Sequence, residues 1–324
     1  MNKEFLKEIL SIPSYSKKEI LMREFIKKFA IDNGIKYHID YKGNIYLTKG
    51  VIDENEHYPC VVSHIDTVHS KHISLIEENK RLIIDEDQDM LTAKHPETNI
   101  QTGIGGDDKC GVFVCLSLMT KLAVIKGAFF VEEEIGMLGS KVSDDSFFKN
   151  VGYAIQFDAP SANWITEVCS GVRIFEDFFK DMIKEVLSDN GYTNFSNDPF
   201  TDVNQLAQKY DFNCLNLGCG YYRQHTDYEY VIISEVEKSL KAGLDLIEYL
   251  GNDKYIKHRE PKREILIENQ PIPYNIIETN DFEDNNFDLE YVSEELTKSI
   301  YEIINEGGNE NDVKKFIYDF LSYN

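Results

Sequence analysis

Basic residues are scarce in this 324-residue chain: 34 Lys and Arg stand against 57 Asp and Glu, for a formal net charge of -23. A phosphate backbone calls for clustered cations, so this balance excludes an ordinary nucleic-acid binder and disfavours anionic membranes. Long apolar runs are missing too. No stretch has the roughly eighteen uninterrupted apolar residues of a membrane-spanning helix, and residues 1–10 are charged throughout, so a cytoplasmic protein is expected. The six cysteines (60, 110, 115, 169, 214 and 219) make no C-x-x-C pair. Six are too sparse in a chain of this size for a disulfide scaffold, and Cys214 and Cys219, which flank a short apolar stretch, are expected as buried thiols rather than zinc ligands. No internal repeat is evident. Carboxylate is abundant, which favours solubility and offers oxygen ligands for divalent cations.

The length permits one large α/β domain or two smaller ones. Ser16 followed by Glu19 reads as a capping box, and Ile20, Met22, Phe25 and Phe29 give an apolar stripe ending near Gly34. Residues 37–41 and 45–48 read as a hairpin across Gly43 and Asn44. The run 58–63 is apolar enough for a strand buried on both faces. Residues 70–100 form a polar excursion with a possible strand pair around 82–84. Alternation then resumes: helix 108–122, strands 128–132 and 153–157, helix 172–187, strand 214–217, and strand 230–233 leading to a helix with Val236, Leu240, Leu244 and Ile247 on one face. This pattern predicts a doubly wound, mostly parallel sheet with helices on both faces over residues 1–252. Residues 253–324 read as an acidic, partly helical C-terminal appendage, with two short helical patterns in 292–321 split by Gly307 and Gly308.

In such sheets ligands sit beyond the carboxyl ends of the strands. Several predicted strands deliver side chains of metal-ligand type where they stop. SHIDTV (63–68) carries His64 and Asp66, two positions apart and so on one face of a strand. GDDKCG (106–111) carries Asp107 and Asp108 beside glycines, EEIG (133–136) carries Glu133 and Glu134 after Glu132, FD (157–158) carries Asp158, and HTDYE (225–229) carries His225. Each segment alone also reads as a turn, a helix cap or a solvated acidic start. A phosphate loop is rejected at 103–109, because Lys109 is followed by Cys110 and preceded by two carboxylates.

Those five segments, in this order, resemble the cocatalytic dinuclear zinc exopeptidases of the peptidase T, carboxypeptidase G and aminoacylase group. The match runs from residue 61 to about 230, and the last predicted helix extends it to about 250. The resemblance implies two Zn²⁺ per chain, with Mn²⁺ or Co²⁺ also acceptable to such a donor set. It implies His64, Asp107, Glu134, Asp158 and His225 as metal ligands, Asp107 bridging, and Asp66 bonded to the His64 imidazole. Glu133 falls on the general base, which would take a proton from water and return it to the leaving amine.

The chain departs from that group in one respect. Asp158 and His225 are only 67 positions apart, with one helix, a loop and a shorter helix expected between them, so the lid domain inserted there in close relatives is missing. Arg173 and Arg223 are candidates for holding a substrate carboxylate. His57, His69, His72 and His95 match no strand-end motif and are expected at the surface. The leading expectation is an aminopeptidase acting on short peptides. One alternative is a hydrolase of N-acyl amino acids or other small amides, and another is a catalytically silent metal-binding interaction protein. The oligomeric state is left open.

Overall fold

The structure, a computed structural model, describes residues 1–68, 80–198 and 200–258. His69, His72 and the helical patterns expected at 292–321 lie outside the described residues. The chain opens with α1 (Lys3–Leu10), α2 (Ile20–Asp32), the hairpin β1 (Lys36–Ile39) and β2 (Ile45–Lys49), and β3 (Tyr58–His64). Next come β4 (Ile83–Asp87), β5 (Met90–Lys94), β6 (Gln101–Thr102), α3 (Gly106–Lys121), β7 (Ile125–Phe130), and the short helices α4 (Leu138–Lys141) and α5 (Asp145–Phe148). The remainder is β8 (Val151–Ala159), β9 (Trp164–Cys169), β10 (Val172–Arg173), α6 (Asp177–Asp189), β11 (Asn194–Asp198), α7 (Asp202–Lys209), β12 (Asn213–Gly218), β13 (Tyr221–Tyr222), β14 (Tyr230–Ile232) and α8 (Ile233–Leu250).

The main sheet runs β1-β2-β7-β3-β8-β12-β9-β10, with β11 paired to β9. Its centre, β7-β3-β8-β12, is parallel, and Val61 and Leu215 both pair with Ile155. Antiparallel pairs flank it, β2 on β7 and β9 on β12. All residues of β3, β7 and β12 are buried, as strands covered on both faces must be. α3 packs against β3, β7 and β8 with α1 and α8 beside it, whereas α7 packs against β12, β8 and β3 with α4 beside it. The result is the doubly wound, mostly parallel architecture expected from the alternation of strands and helices.

Some local expectations fail for identifiable reasons. Ser16 does not cap α2. Its hydroxyl donates to Asp66 Oδ2 at 2.7 Å, and Glu19 accepts from the Lys17 N–H instead. The strand expected at 128–132 ends at Phe130, and the chain then turns through Glu132 at φ 54°. Helix α6 starts at Asp177, because Val172 and Arg173 pair with β9. The strand at 230–232 belongs to a second, antiparallel sheet, β13-β14-β5-β4 with β6 on β5, and not to the main one. That sheet gives the polar excursion its partner: Val231 pairs with Leu91. α1 had not been anticipated among the charges of the first ten residues, yet it buries Leu6, Ile9 and Leu10.

All six cysteines are free and buried. Among the described residues no helix is long and apolar enough to cross a membrane.

Candidate metal centre

Strand periodicity places the first two groups. Along β8, Phe157 faces α8, where a Cβ on Gly243 would lie 2.7 Å from its ring. Its neighbours Gln156 and Asp158 therefore point to the other side, where Gln156 accepts from Thr201 and the Val203 N–H at the start of α7. His64, the last residue of β3, emerges beside them, with its Nε2 3.4 Å from Asp158 Oδ1. From the turn into α3, Asp107 brings Oδ1 to 3.1 Å from the same nitrogen. The other Asp107 oxygen, Oδ2, lies 3.3 Å from His225 Nε2, which is 3.0 Å from Glu134 Oε2.

The structure thus brings His64, Asp107, Glu134, Asp158 and His225 together, with Glu133 Oε2 4.0 Å from His64 Nε2. The acidic triplet divides cleanly. Glu132 turns outward to Lys42 Nζ at 2.7 Å, and its two successors turn inward. The side chains of Asp107, Glu133, Glu134 and Asp158 are only 6–12% exposed, whereas that of His225 is 47% exposed and marks the open side.

A frame of hydrogen bonds holds this arrangement. Asp66 accepts from the Glu133 and Glu134 N–H groups at 2.9 and 3.2 Å, as well as from Ser16. Its carboxylate was expected on the imidazole, but the shorter contact of His64 Nδ1 is to the Asp66 carbonyl, at 2.9 Å against 3.4 Å to Oδ1. That bond fixes the ring and leaves Nε2 facing the cluster. Asp108 accepts from the Ser63 hydroxyl, the His64 N–H and the Gly111 N–H. Although Asp108, His64 and Asp158 have ligand atoms within 4.8 Å of one another, both Asp108 oxygens are committed to this clip. Asn216 bonds the backbone of Asp158 in both directions, each at 2.8 Å, and Tyr221 donates to Asp158 Oδ1 at 3.3 Å.

Electrostatics favour a cation here. Burial, then the charge of Asp107, raises the pKa of Glu134 against the opposing pull of His225. Glu133 and Asp158 are pushed well above the carboxylate range, first by burial. Burial alone would lower His64, yet Asp158, Asp107 and Asp66 hold its pKa well above the usual value. His225, likewise opposed by burial, reaches about 11 through Asp107 and Glu134. Two imidazoles cannot balance this many buried carboxylates, whereas divalent cations with N and O ligands can. His64, Asp107 and Glu134 also have ligand atoms within 4.8 Å of one another, so the residues present fit a metal centre.

The other candidates are placed apart. Arg173 is engaged by Glu167 and Asp177 at 2.7 and 2.8 Å and has no bond to the cluster. Arg223 is exposed, with φ 55°, two residues before His225, and its guanidinium makes no hydrogen bond or ion pair among the described residues. His95, expected at the surface, is buried and accepts from the Glu97 and Thr98 N–H groups. Sequence reasoning also missed Gln156, Asn216, Tyr221 and Asp202. Asp202 is fully buried with no hydrogen-bond partner for Oδ1 among the described residues, and burial pushes its carboxyl up to about 7. An amide two residues before Asp158 was the one available signal, for Gln156.

The sequence matches no protein-family profile. No curated protein matches it significantly either. Solved structures do resemble it. Aminopeptidase PepT from Bacillus cereus aligns over 76% of this chain and 97% of its own, at TM-score 0.63 and 14% identity. A tripeptidase from Staphylococcus aureus aligns over 76% and 96%, at 0.58 and 12%. An aminopeptidase from the archaeon Desulfurococcus kamchatkensis aligns over 76% and 94%, at 0.57 and 13%. At these identities the likeness establishes the fold: this chain has the α/β architecture on which those aminopeptidases are built.

Proposed function

We propose that this chain is a two-cation hydrolase that removes the N-terminal residue of short peptides, with zinc as the cation its donors suit best. The observation that carries the reading is Asp107, whose two oxygens lie 3.1 Å from His64 Nε2 and 3.3 Å from His225 Nε2. A carboxylate that faces both imidazoles is the bridge a pair of ions requires. His64 and Asp158 would hold one cation with it, and Glu134 and His225 the other. Bound there, the cations would polarise the amide carbonyl and lower the pKa of water.

Glu133 needs no ligand role and is buried with Oε2 4.0 Å from His64 Nε2. Positive charge nearby draws a buried carboxyl back to its ionised form, the form a base needs. It would then accept a proton from the attacking water and deliver it to the leaving nitrogen, as the C–O bond forms and the C–N bond breaks. Arg223, exposed near the half-open His225, is the group we assign to a substrate carboxylate. The stretch between Asp158 and His225 is largely taken up by β9 to β12, α6 and α7, which supports a form without a lid domain.

The structural likeness to aminopeptidases and a tripeptidase favours free-amine substrates over blocked ones. Assays of the metal-loaded protein on tripeptides and on N-acetyl amino acids test this. Release of N-terminal residues is expected, and turnover of the acetylated compounds alone would refute the aminopeptidase reading.

A further inference from the structure

The segment that brings His225 into place ends in a second acidic residue, Glu229, to which no role has so far been given. Its side chain is buried, 1% exposed, and both its oxygens point at the turn that carries Asp107. Oε2 accepts from the Gly105 N–H at 2.7 Å and Oε1 from the Asp107 N–H at 3.2 Å. Contact between the two segments is close: a Cβ on Gly106 would lie 2.7 Å from Tyr221 Cβ and Val231 Cγ2. The backbone of Asp107 and Asp108 is non-helical inside α3, so these two N–H groups have no helical partner in this turn.

We propose that Glu229 is a positioning residue that locks the Asp107 turn to the His225 loop, and so sets the spacing of the ligands of the cation on the open side. This rests on the two-cation reading above. Only a carboxylate satisfies both donors, because a glutamine has one acceptor oxygen and would turn N–H₂ toward an N–H. The His64 and Asp158 side of the centre depends less on the clamp, since both residues sit on neighbouring strands of the main sheet.

The test is a zinc titration of metal-free protein against a chromophoric chelator, for wild type, Glu229→Gln, His225→Ala and the double variant. Wild type is expected to bind two ions. In Glu229→Gln one ion should weaken about 10–100-fold, as for other groups that orient ligands, and the other by less than about threefold. In the His225→Ala background, which has already lost the open-side ion, adding Glu229→Gln should weaken the remaining ion by less than about threefold; a general loosening of the fold would weaken it more. Two unaltered isotherms in Glu229→Gln, or equal weakening of both ions, would overturn the proposal. If Glu229→Gln does not fold, Glu229→Asp, with a reach too short for both N–H groups, replaces it under the same criteria. A wild type that binds no zinc would instead sink the two-cation reading itself, so the two failures are distinguishable.

Discussion

Glu133 and Glu134 are neighbours with different fates, and the difference is decided by single hydrogen bonds. Asp66 holds both their N–H groups, Glu134 meets His225, and among the described residues Glu133 meets no imidazole closer than 4.0 Å. Glu133→Ala should therefore bind metal as wild type does and lose about 10²–10⁴-fold in kcat, the usual contribution of a general acid–base group; metal analysis beside steady-state kinetics checks both halves. The raised pKa of His64 and of His225 makes a second point. Neighbouring carboxylates raise the pKa of both imidazoles, and a ligand imidazole must be neutral, so zinc binding should release protons and weaken as pH falls. A pH-stat during zinc addition would record that release, and zinc affinity that does not fall with pH would argue against histidine ligands.

Asp202 gives a test independent of metal. Its pKa is raised from 3.8 to about 7, so its contribution to stability is fully present below pH 3.8, is lost as pH rises through 7, and is flat above. Asp202→Asn should remove that loss and make the metal-free protein more stable than wild type at pH 8.5, on the order of 4 kcal/mol, with about half that gain at pH 5.5. Urea melts at the two pH values measure it.

Among the elements, the parallel centre was legible because β3 is a nearly continuous apolar run, the strands after it carry shorter apolar runs between helical patterns, and ligand-type side chains stand where those runs stop. The strands β9 to β11 were not legible. Trp164–Cys169 and Asn194–Asp198 mix polar and apolar residues without a clean alternation, and they are strands only because they pair with each other and with β12. The small sheet was hidden for another reason: β14 pairs with β5 about 140 positions away, and no local pattern encodes so distant a partner. The Ser16 capping box failed because a hydroxyl that reads as a helix cap in sequence was recruited by Asp66, a residue remote in the chain. The turn into α3 carries an element-scale prediction. Gly105 sits at φ 68°, and a Cβ there would lie 2.8 Å from Thr67 Cγ2. Gly105→Ala should cost about 1–3 kcal/mol in stability and also weaken zinc binding, because the turn it strains carries Asp107. Thermal melts and zinc titration of the variant read the two effects, and a fully stable, fully metal-binding Gly105→Ala would show that the turn is slack.

On the scale of the whole molecule, segments spread over more than 160 residues of chain, from His64 to His225, meet beyond the carboxyl ends of the central parallel strands and concentrate buried acid there. A molecule with net charge -23 that also buries carboxylates side by side gains stability from any cation that binds only the folded state. Chelation should therefore lower the melting temperature: each site held at 100 times its Kd contributes about 2.7 kcal/mol. A melting temperature unaffected by chelator and by added zinc would argue against a resident metal. The most direct measurement is anomalous diffraction at the zinc edge from a crystal of the zinc-loaded protein. The account predicts two peaks about 3.5 Å apart astride Asp107, one beside His64 and Asp158 and the other beside Glu134 and His225. A single peak, or peaks elsewhere on the molecule with Asp107 unligated, would contradict it.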